Sequence, residues 1–338
     1  MRTSPLAAVT RLGALMAVAL AVTVNPLASG ATVGSGSLVF AVEADPHMDE
    51  QSDEAIYRGT LQEIVANRPA FLVDLGDTFM IDKLPDKSTQ SIRARYELMK
   101  GYFALLGPRV PLHLAMGNHD GEAGWDSLNT KSYRQEYFSR ETLPLNYYSF
   151  TDSGSLFIVL DPYSYTTRKP NQDGWLWTLG RTQYDWLKAI LLSSHAEHRY
   201  VFIHQLVGGD NQGRGGVEYA DLFEWGGQSP SGSYDFDSKR PEWGKPIHQV
   251  LAEGGVEIVF KGHDHFYARQ VLDGVVYQTV PQPSHPGDKA PQAVEYGYTS
   301  GKVVGGSGFL RVTVRGSETR VDFVRSTGAV AASYTVTR

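Results

Sequence analysis

Val256-Glu257-Ile258-Val259-Phe260-Lys261-Gly262-His263-Asp264-His265 joins a short apolar run to a Gly-His-Asp-His tetrad. The run is rich in β-branched and aromatic residues and too short for a helix, so Val256–Phe260 reads as a buried strand that ends on histidines. The same arrangement occurs four times upstream. Leu38–Val42 leads to Asp45-Pro46-His47, Phe71–Leu75 to Gly76-Asp77, Val110–Met116 to Gly117-Asn118-His119-Asp120, and Val201–Ile203 directly to His204. Helical patterns lie between the runs. Ser52 reads as the cap of a segment with Asp53 and Glu54 in its first turn and an apolar stripe of Tyr57, Leu61, Ile64 and Val65. Thr182 and Asp185 read as a capping box ahead of Tyr184, Leu187 and Leu191. Strands alternating with helices predict an α/β fold with a substantial sheet. Such sheets bind ligands just outside the carboxyl ends of their strands, so five strand ends bearing His, Asp and Asn converge on one site. Glycines 76, 117 and 262 suit the sharp turns at that rim.

A second group of strands lacks intervening helices. Tyr147–Thr151 and Leu156–Leu160 flank a Thr-Asp-Ser-Gly-Ser turn, Asp273-Gly274 marks a hairpin, and residues 308–336 continue as short strands. Two long Gly-rich polar stretches, 162–180 and 205–245, read as functional loops. Within the second, Gly208–Gly216 lacks the strand–helix setting and the lysine of a phosphate-binding loop and reads as a flexible loop. Trp175, Trp177, Trp225 and Trp243 serve either to pack these stretches or to wall a substrate cleft.

The chain has 338 residues, ten histidines, no cysteine and a formal net charge of −6. Without cysteine there are no disulfides, thiolate metal sites or thiol nucleophiles. The acidic balance disfavours nucleic acid as a partner and weighs against an extracellular nuclease. Seven strand-end donors remain: Asp45, His47, Asp77, Asn118, His204, His263 and His265. They are too many for one tetrahedral ion and suit two ions that share a carboxylate. Imidazole with carboxylate and carbonyl oxygen favours Mn, Zn, Fe or Ni over Ca or Mg.

Asp-x-His, Gly-Asp, Gly-Asn-His-Asp, a lone strand-end His and Gly-His-Asp-His, in that order over residues 38–265, resemble the calcineurin-like metallophosphoesterase superfamily. The resemblance implies a two-sheet β-sandwich flanked by helices in four α/β/β/α layers. It also implies hydrolysis of a phosphate-ester small molecule by in-line attack of a metal-bridging hydroxide, using two divalent or trivalent ions (Mn, Zn or Fe). It gives one ion Asp45, His47, Asp77 and His265, and the other Asp77, Asn118, His204 and His263. His119 would protonate the leaving oxygen or stabilise its charge, and Asp120 would orient the His119 ring. Purple acid phosphatases carry a tyrosine three residues after the Gly-Asp aspartate; Met80 stands there here, so a tyrosinate–iron site is not expected. Thr78-Phe79-Met80-Ile81 likewise lacks the Asp and Arg of protein Ser/Thr phosphatases. A catalytically dead recognition module on the same scaffold would lack a ligand or His119, and neither is missing.

Residues 1–31 read as a cleaved secretory signal. Arg2 and Arg11 flank an n-region, Leu12–Val24 is uncharged and too short to span a bilayer, and Ala28-Ser29-Gly30-Ala31 offers a cleavage site. Residues 32–338 then form one domain, secreted or periplasmic, with no stable membrane insertion. His113, His195, His198 and His248 read as structural or solvated, and His285 as either a site-lining residue or a surface turn. Asp161 reads as a site-facing or loop-capping acid, and Asp264 as a support to the ligands or to their turn.

Overall fold

The computed structural model describes residues 36–48, 52–80, 84–120, 146–165, 173–210 and 212–338. Residues 1–31, expected to be a secretory signal, lie outside the described residues. The chain runs β1 (Leu38–Glu43), α1 (Glu54–Ala66), β2 (Leu72–Asp74), α2 (Thr89–Phe103), β3 (Leu112–Leu114), β4 (Tyr148–Asp152), β5 (Ser155–Val159), β6 (Ser164–Tyr165) and β7 (Trp177–Thr178). It continues through α3 (Arg181–Ser193), β8 (His198–Ile203), α4 (Ile247–Glu253), β9 (Ile258–Lys261), β10 (Tyr267–Leu272), β11 (Val275–Thr279), β12 (Lys302–Val304), β13 (Gly308–Arg315), β14 (Glu318–Arg325) and β15 (Val330–Thr337). Single-turn helices lie between β8 and α4 and before β12.

Two sheets form the centre. One has the order β15-β14-β13-β1-β2-β3, the other β12-β10-β11-β9-β8-β5-β4. The five predicted runs are β1, β2 and β3, mutually parallel in the first sheet, and β8 and β9, parallel in the second. Because side chains alternate across a strand, each strand feeds two layers. Phe40 and Val42 of β1, Phe157 and Val159 of β5, and Tyr200 and Phe202 of β8 fill the space between the sheets. Ala41 faces the other way, toward Tyr57, Leu61 and Ile64 of α1 and Ile92, Tyr96 and Met99 of α2. Leu156, Ile158, Val201 and Ile203 face outward against Tyr184, Leu187 and Leu191 of α3 and Ile247 and Leu251 of α4. The four layers expected from the sequence are thus present.

Local signals explain most element ends. The β4–β5 and β10–β11 hairpins turn through Ser153-Gly154 (φ 47° and 77°) and Asp273-Gly274 (φ 48° and 81°), the left-handed pairs that two-residue hairpins require. The first helix is capped one residue later than expected: Asp53 Oδ1 accepts from the Ile56 N–H at 3.0 Å. The expected Thr182–Asp185 capping box does not form. Gly180, at φ 77°, starts α3, so Thr182 falls inside the first turn and Asp185 pairs with Arg181 at 2.5 Å. Helix α2 was not anticipated, although Ser88 caps it and Ile92, Tyr96, Met99 and Phe103 recur at helical spacing.

The described parts of the two long stretches are built structure. Trp175, Trp177, Trp225 and Trp243 all belong to the core on the outer face of the second sheet, which decides for packing over a cleft wall. The Gly208–Gly216 region differs from the flexible loop expected. Gly213 has φ 85°, and a Cβ there would fall 1.8 Å from the Gln205 side chain, so its described residues are closely packed. No helix among the described residues is long and apolar enough to cross a membrane.

Phe40 lies at the centre of the inter-sheet layer, 5.3 Å from the rings of both Phe71 and Phe157 and 6.2 Å from that of Phe260. Phe40→Ala is expected to cost about 3–5 kcal/mol in denaturant unfolding. Leu192→Ser, at a side chain 89% exposed, should change stability by less than about 0.5 kcal/mol. Equal effects from the two substitutions would contradict this layering.

Candidate metal centre

The parallel strands of both sheets deliver their carboxyl ends to one rim, and pairing continues beyond the strands. The Asp45, His47 and Met48 N–H groups donate to the carbonyls of Gly76, Asp77 and Thr78 at 2.9, 3.0 and 2.9 Å. Gly262 N donates to His204 O at 2.9 Å. The crowding explains Gly117, where a Cβ would fall 2.2 Å from Asp77 N. Among the described residues ten non-glycine positions have positive φ, and five of them are Asp45, His47, Asp77, His263 and His265. Asp and His tolerate the left-handed region better than most side chains, and such strain, about 1–3 kcal/mol per residue, persists where the surroundings over-determine it.

Two carboxylates divide their oxygens between scaffold and site. Asp45 Oδ2 accepts from His263 N at 2.8 Å and so ties the first sheet to the second. Its Oδ1 is buried without a hydrogen bond, 3.4, 3.7 and 3.8 Å from Nε2 of His265, His204 and His47. Asp77 Oδ1 accepts from His119 N at 2.8 Å, while Oδ2 lies 3.2 Å from His204 Nε2 and 3.7 Å from His47 Nε2. Carbonyl acceptors set two of the imidazoles. His204 Nδ1 is 2.9 Å from Leu75 O, and His263 Nε2 is 3.1 Å from Gln212 O. A carbonyl only accepts, so each of those nitrogens carries the proton and the opposite nitrogen keeps a lone pair for a cation.

Electrostatics keep the His47 and His263 rings neutral and the two carboxylates ionised, whereas His204, with no cation beside it, takes up a proton. Burial works to raise Asp45, but the imidazoles of His265 and His204 outweigh it and hold its carboxyl below the usual range. Burial opposes ionisation of Asp77 as well, yet His204 and His119 hold it well below that range. Burial and the neighbouring His265 push His47 down to about 3. Burial and the Arg214 charge hold His263 well below its ordinary value. Burial works to lower His204, but Asp77 and Asp45 push it up to about 9. The two carboxylates therefore draw positive charge to His204 Nε2.

These residues fit a pair of metal ions. His47 Nε2 and His265 Nε2 approach to 3.1 Å, a nitrogen–nitrogen contact that needs a proton or cation between them, and Asp45 Oδ1 beside them is unpartnered. The donor atoms of Asp45, His47 and His265 lie within 4.8 Å of one another, as do those of Asp77, His204 and His263. Asp77 Oδ2 lies between the groups. Asn118 Oδ1 is 3.2 Å from His204 Nε2 and joins the second group. The seven predicted donors are therefore together. His119 is half-buried, its ring 5.6 Å from that of His47. Asp120 has a use not foreseen in the sequence: Oδ2 accepts from Asp77 N and Gly117 N, both at 2.8 Å, and Oδ1 from Thr78 N at 3.1 Å. It clasps the loops after β2 and β3.

The remaining candidates sort by their contacts. Asp264 is fully buried, accepting from Lys261 Nζ at 2.7 Å, Tyr298 OH at 2.6 Å and Gly215 N at 3.2 Å, which supports the turn carrying the histidines. Asp161 caps a loop through Asn146 Nδ2 at 3.0 Å and Tyr163 N at 2.9 Å. His195 is exposed, His113 stacks on Phe150 at 3.9 Å, His198 binds Glu257 and Gly316 O, and His248 binds Tyr277 and Asp273. His285 Nδ1 accepts from Gly287 N at 2.8 Å within a turn, and its ring is near enough to His265 for their charges to interact. Sequence reasoning missed Gln212 and Arg214, because nothing in a Gly-rich loop marks which residue reaches His263.

Several solved structures are similar in fold. A purple acid phosphatase from yellow lupin (Lupinus luteus) seeds superposes with a TM-score of 0.60 at 14% identity, over 90% of this chain and 55% of that one. PhoD gives 0.62 at 15% identity, over 91% and 70%. A dimetal phosphatase from Danio rerio gives 0.57 at 14% identity, over 89% and 98%. GAP50, the anchor in the inner membrane complex of Plasmodium, gives 0.57 at 16% identity, over 89% of both chains. The chain spans about half the length of the lupin protein. No curated protein sequence matches it. The calcineurin-like phosphoesterase family matches residues 38–267, the stretch that contains all five strand-end motifs, and the chain belongs to that family.

Proposed function

We propose that this metal-dependent phosphoester hydrolase holds two metal ions, with Asp77 as the shared ligand, and cleaves phosphate esters by in-line displacement. The position of Asp77 Oδ2 between the His47 and His204 nitrogens carries the reading. Asp45, His47 and His265 complete one ion's set; Asn118, His204 and His263 complete the other's. When bound, such a pair supplies an acidified water and neutralises charge on the phosphoryl group. The nitrogen- and oxygen-rich donor set suits Mn, Zn or Fe.

The chain's own residues then have separate tasks. The half-buried His119 ring sits beside the first ion's ligands and protonates the leaving oxygen or stabilises its charge. The hydrogen bond from its backbone N–H to Asp77 Oδ1 fixes it relative to the shared ligand. Asp120 positions Asp77 by holding its N–H. We also propose that the protein is exported, from the uncharged apolar segment Leu12–Val24, the arginines before it and the small residues after it.

Asp77→Asn is expected to lower bound metal below two ions per chain and reduce hydrolysis of p-nitrophenyl phosphate to background. His119→Ala should retain both ions and lose about 10²–10⁴-fold in kcat, most with poor leaving groups. Full activity in Asp77→Asn, or loss of metal from His119→Ala, would overturn these assignments. For export, N-terminal sequencing of protein recovered outside the cytoplasm should begin near residue 32; an intact Met1 there would contradict cleavage.

A further inference from the structure

Beside the metal centre stands a group of cations that the assigned roles leave unused. Arg214 belongs to a turn closed on itself: Asp210 Oδ1 accepts from Gln212 N at 2.9 Å and Arg214 N at 3.0 Å, and Asp210 N donates to Arg214 O at 3.1 Å. Its guanidinium is fixed on two sides. Nη1 donates to the main-chain oxygen of His263 at 2.7 Å, and the plane lies 4.4 Å from the centre of the Tyr296 ring. Among the described residues Nε and Nη2 have no hydrogen bond, and the side chain is 26% exposed. One edge of a rigid, planar, two-pronged donor is therefore open, the geometry that recognises carboxylate and phosphoryl oxygens in pairs.

No acid among the described residues bonds to the open edge of Arg214. The carboxylate paired with its other edge is Asp264, with Oδ1 at 3.5 Å from Nη1, and it is already matched by the fully buried Lys261 at 2.7 Å. Asp210 uses Oδ1 on the N–H groups of its own turn. Lys289 is a second cation beside Arg214. Its side chain has no ion pair among the described residues, and it is half-buried, so that burial and then the like charge of Arg214 lower its pKa. His285 is close enough to feel both Lys289 and His265. Burial and then Lys289 hold His285 below its ordinary value, so that ring stays neutral and the cations here are Arg214 and Lys289.

We infer that Arg214, supported by Lys289, forms a second oxyanion site beside the metal pair, and that preferred substrates carry a carboxylate or phosphoryl group in addition to the phosphate ester that is cleaved. The inference rests on the proposed phosphoesterase reading and names its substrate class. The anchor of Arg214 is the main chain of His263, and neither Asp45 nor Asp77 forms an ion pair with it. The guanidinium therefore stands next to the donor cluster and takes a group other than the reacting phosphoryl. Because two neighbouring cations raise the local concentration of anions, the effect falls chiefly on KM.

The test uses full-length mature protein loaded with Mn. Kinetics are measured on phosphorylated ω-carboxylic acids of graded chain length and on uncharged alkyl phosphates of the same lengths. For at least one length the carboxylate should raise kcat/KM by about tenfold or more, as expected for a charge-assisted pair. Arg214→Gln should abolish that preference through KM, Lys289→Met should reduce it, and Arg214→Lys should keep part of it. Absence of any preference in the wild type, or equal losses on both substrate series, would overturn the site. In parallel, calorimetric titration with inorganic pyrophosphate and inorganic phosphate should show tighter pyrophosphate binding that Arg214→Gln removes. An equal affinity for the two anions would overturn the inference even if the wild type hydrolysed nothing, an outcome that would separately overturn the phosphoesterase reading.

Discussion

The centre depends on carboxylates that serve the backbone with one oxygen and the site with the other. Asp45 holds the His263 N–H with Oδ2 and leaves Oδ1 among three imidazoles. Asp77 holds the His119 N–H with Oδ1 and leaves Oδ2 between the two donor groups. Each bond joins a strand end to another strand end, and the Asp45 bond crosses from one sheet to the other. Fixing the loops and aiming the free oxygens are therefore one event. A buried carboxylate with an idle oxygen is costly unless something cationic meets it, so the scaffold that positions these residues also creates the demand for ions.

That demand is supported behind the ligands. Carbonyls of Leu75 and Gln212 decide which nitrogen of His204 and His263 faces inward. Asp120 accepts from the buried amides of Asp77, Thr78 and Gly117, whose desolvation would be costly without an acceptor. The fold alone does not decide activity, since it is shared with proteins described as phosphatases and with one described as an anchor. The capacity for chemistry lies in this chain's own donors, together with the half-buried His119 beside them.

The seven donors were legible in the sequence because each follows a strand run within a few residues, and parallel strands bring such ends together. The layer order followed from the family resemblance, and the runs Leu38–Val42 and Val201–Ile203, apolar at every position, agree with strands covered on both faces. What escaped depends on partners far apart in the chain. The Asp45–His263 bond spans 218 residues, and Asp120 reaches back 43 residues to Asp77. No local pattern specifies either. Asp120 was picked out by its motif, but its bonds to the Asp77 and Thr78 amides were not, because motif membership marks a residue without naming its contacts. Arg214 was invisible because its significance arises only when the turn that carries it sets it against His263.

The central claim, two ions sharing Asp77, is tested most directly by anomalous diffraction from crystals grown with Mn. The account predicts two peaks roughly 3.5–4 Å apart. One should lie against Asp45, His47 and His265, the other against Asn118, His204 and His263, with the Asp77 carboxylate touching both. A single peak under saturating metal, or a second peak out of reach of Asp77, would contradict it.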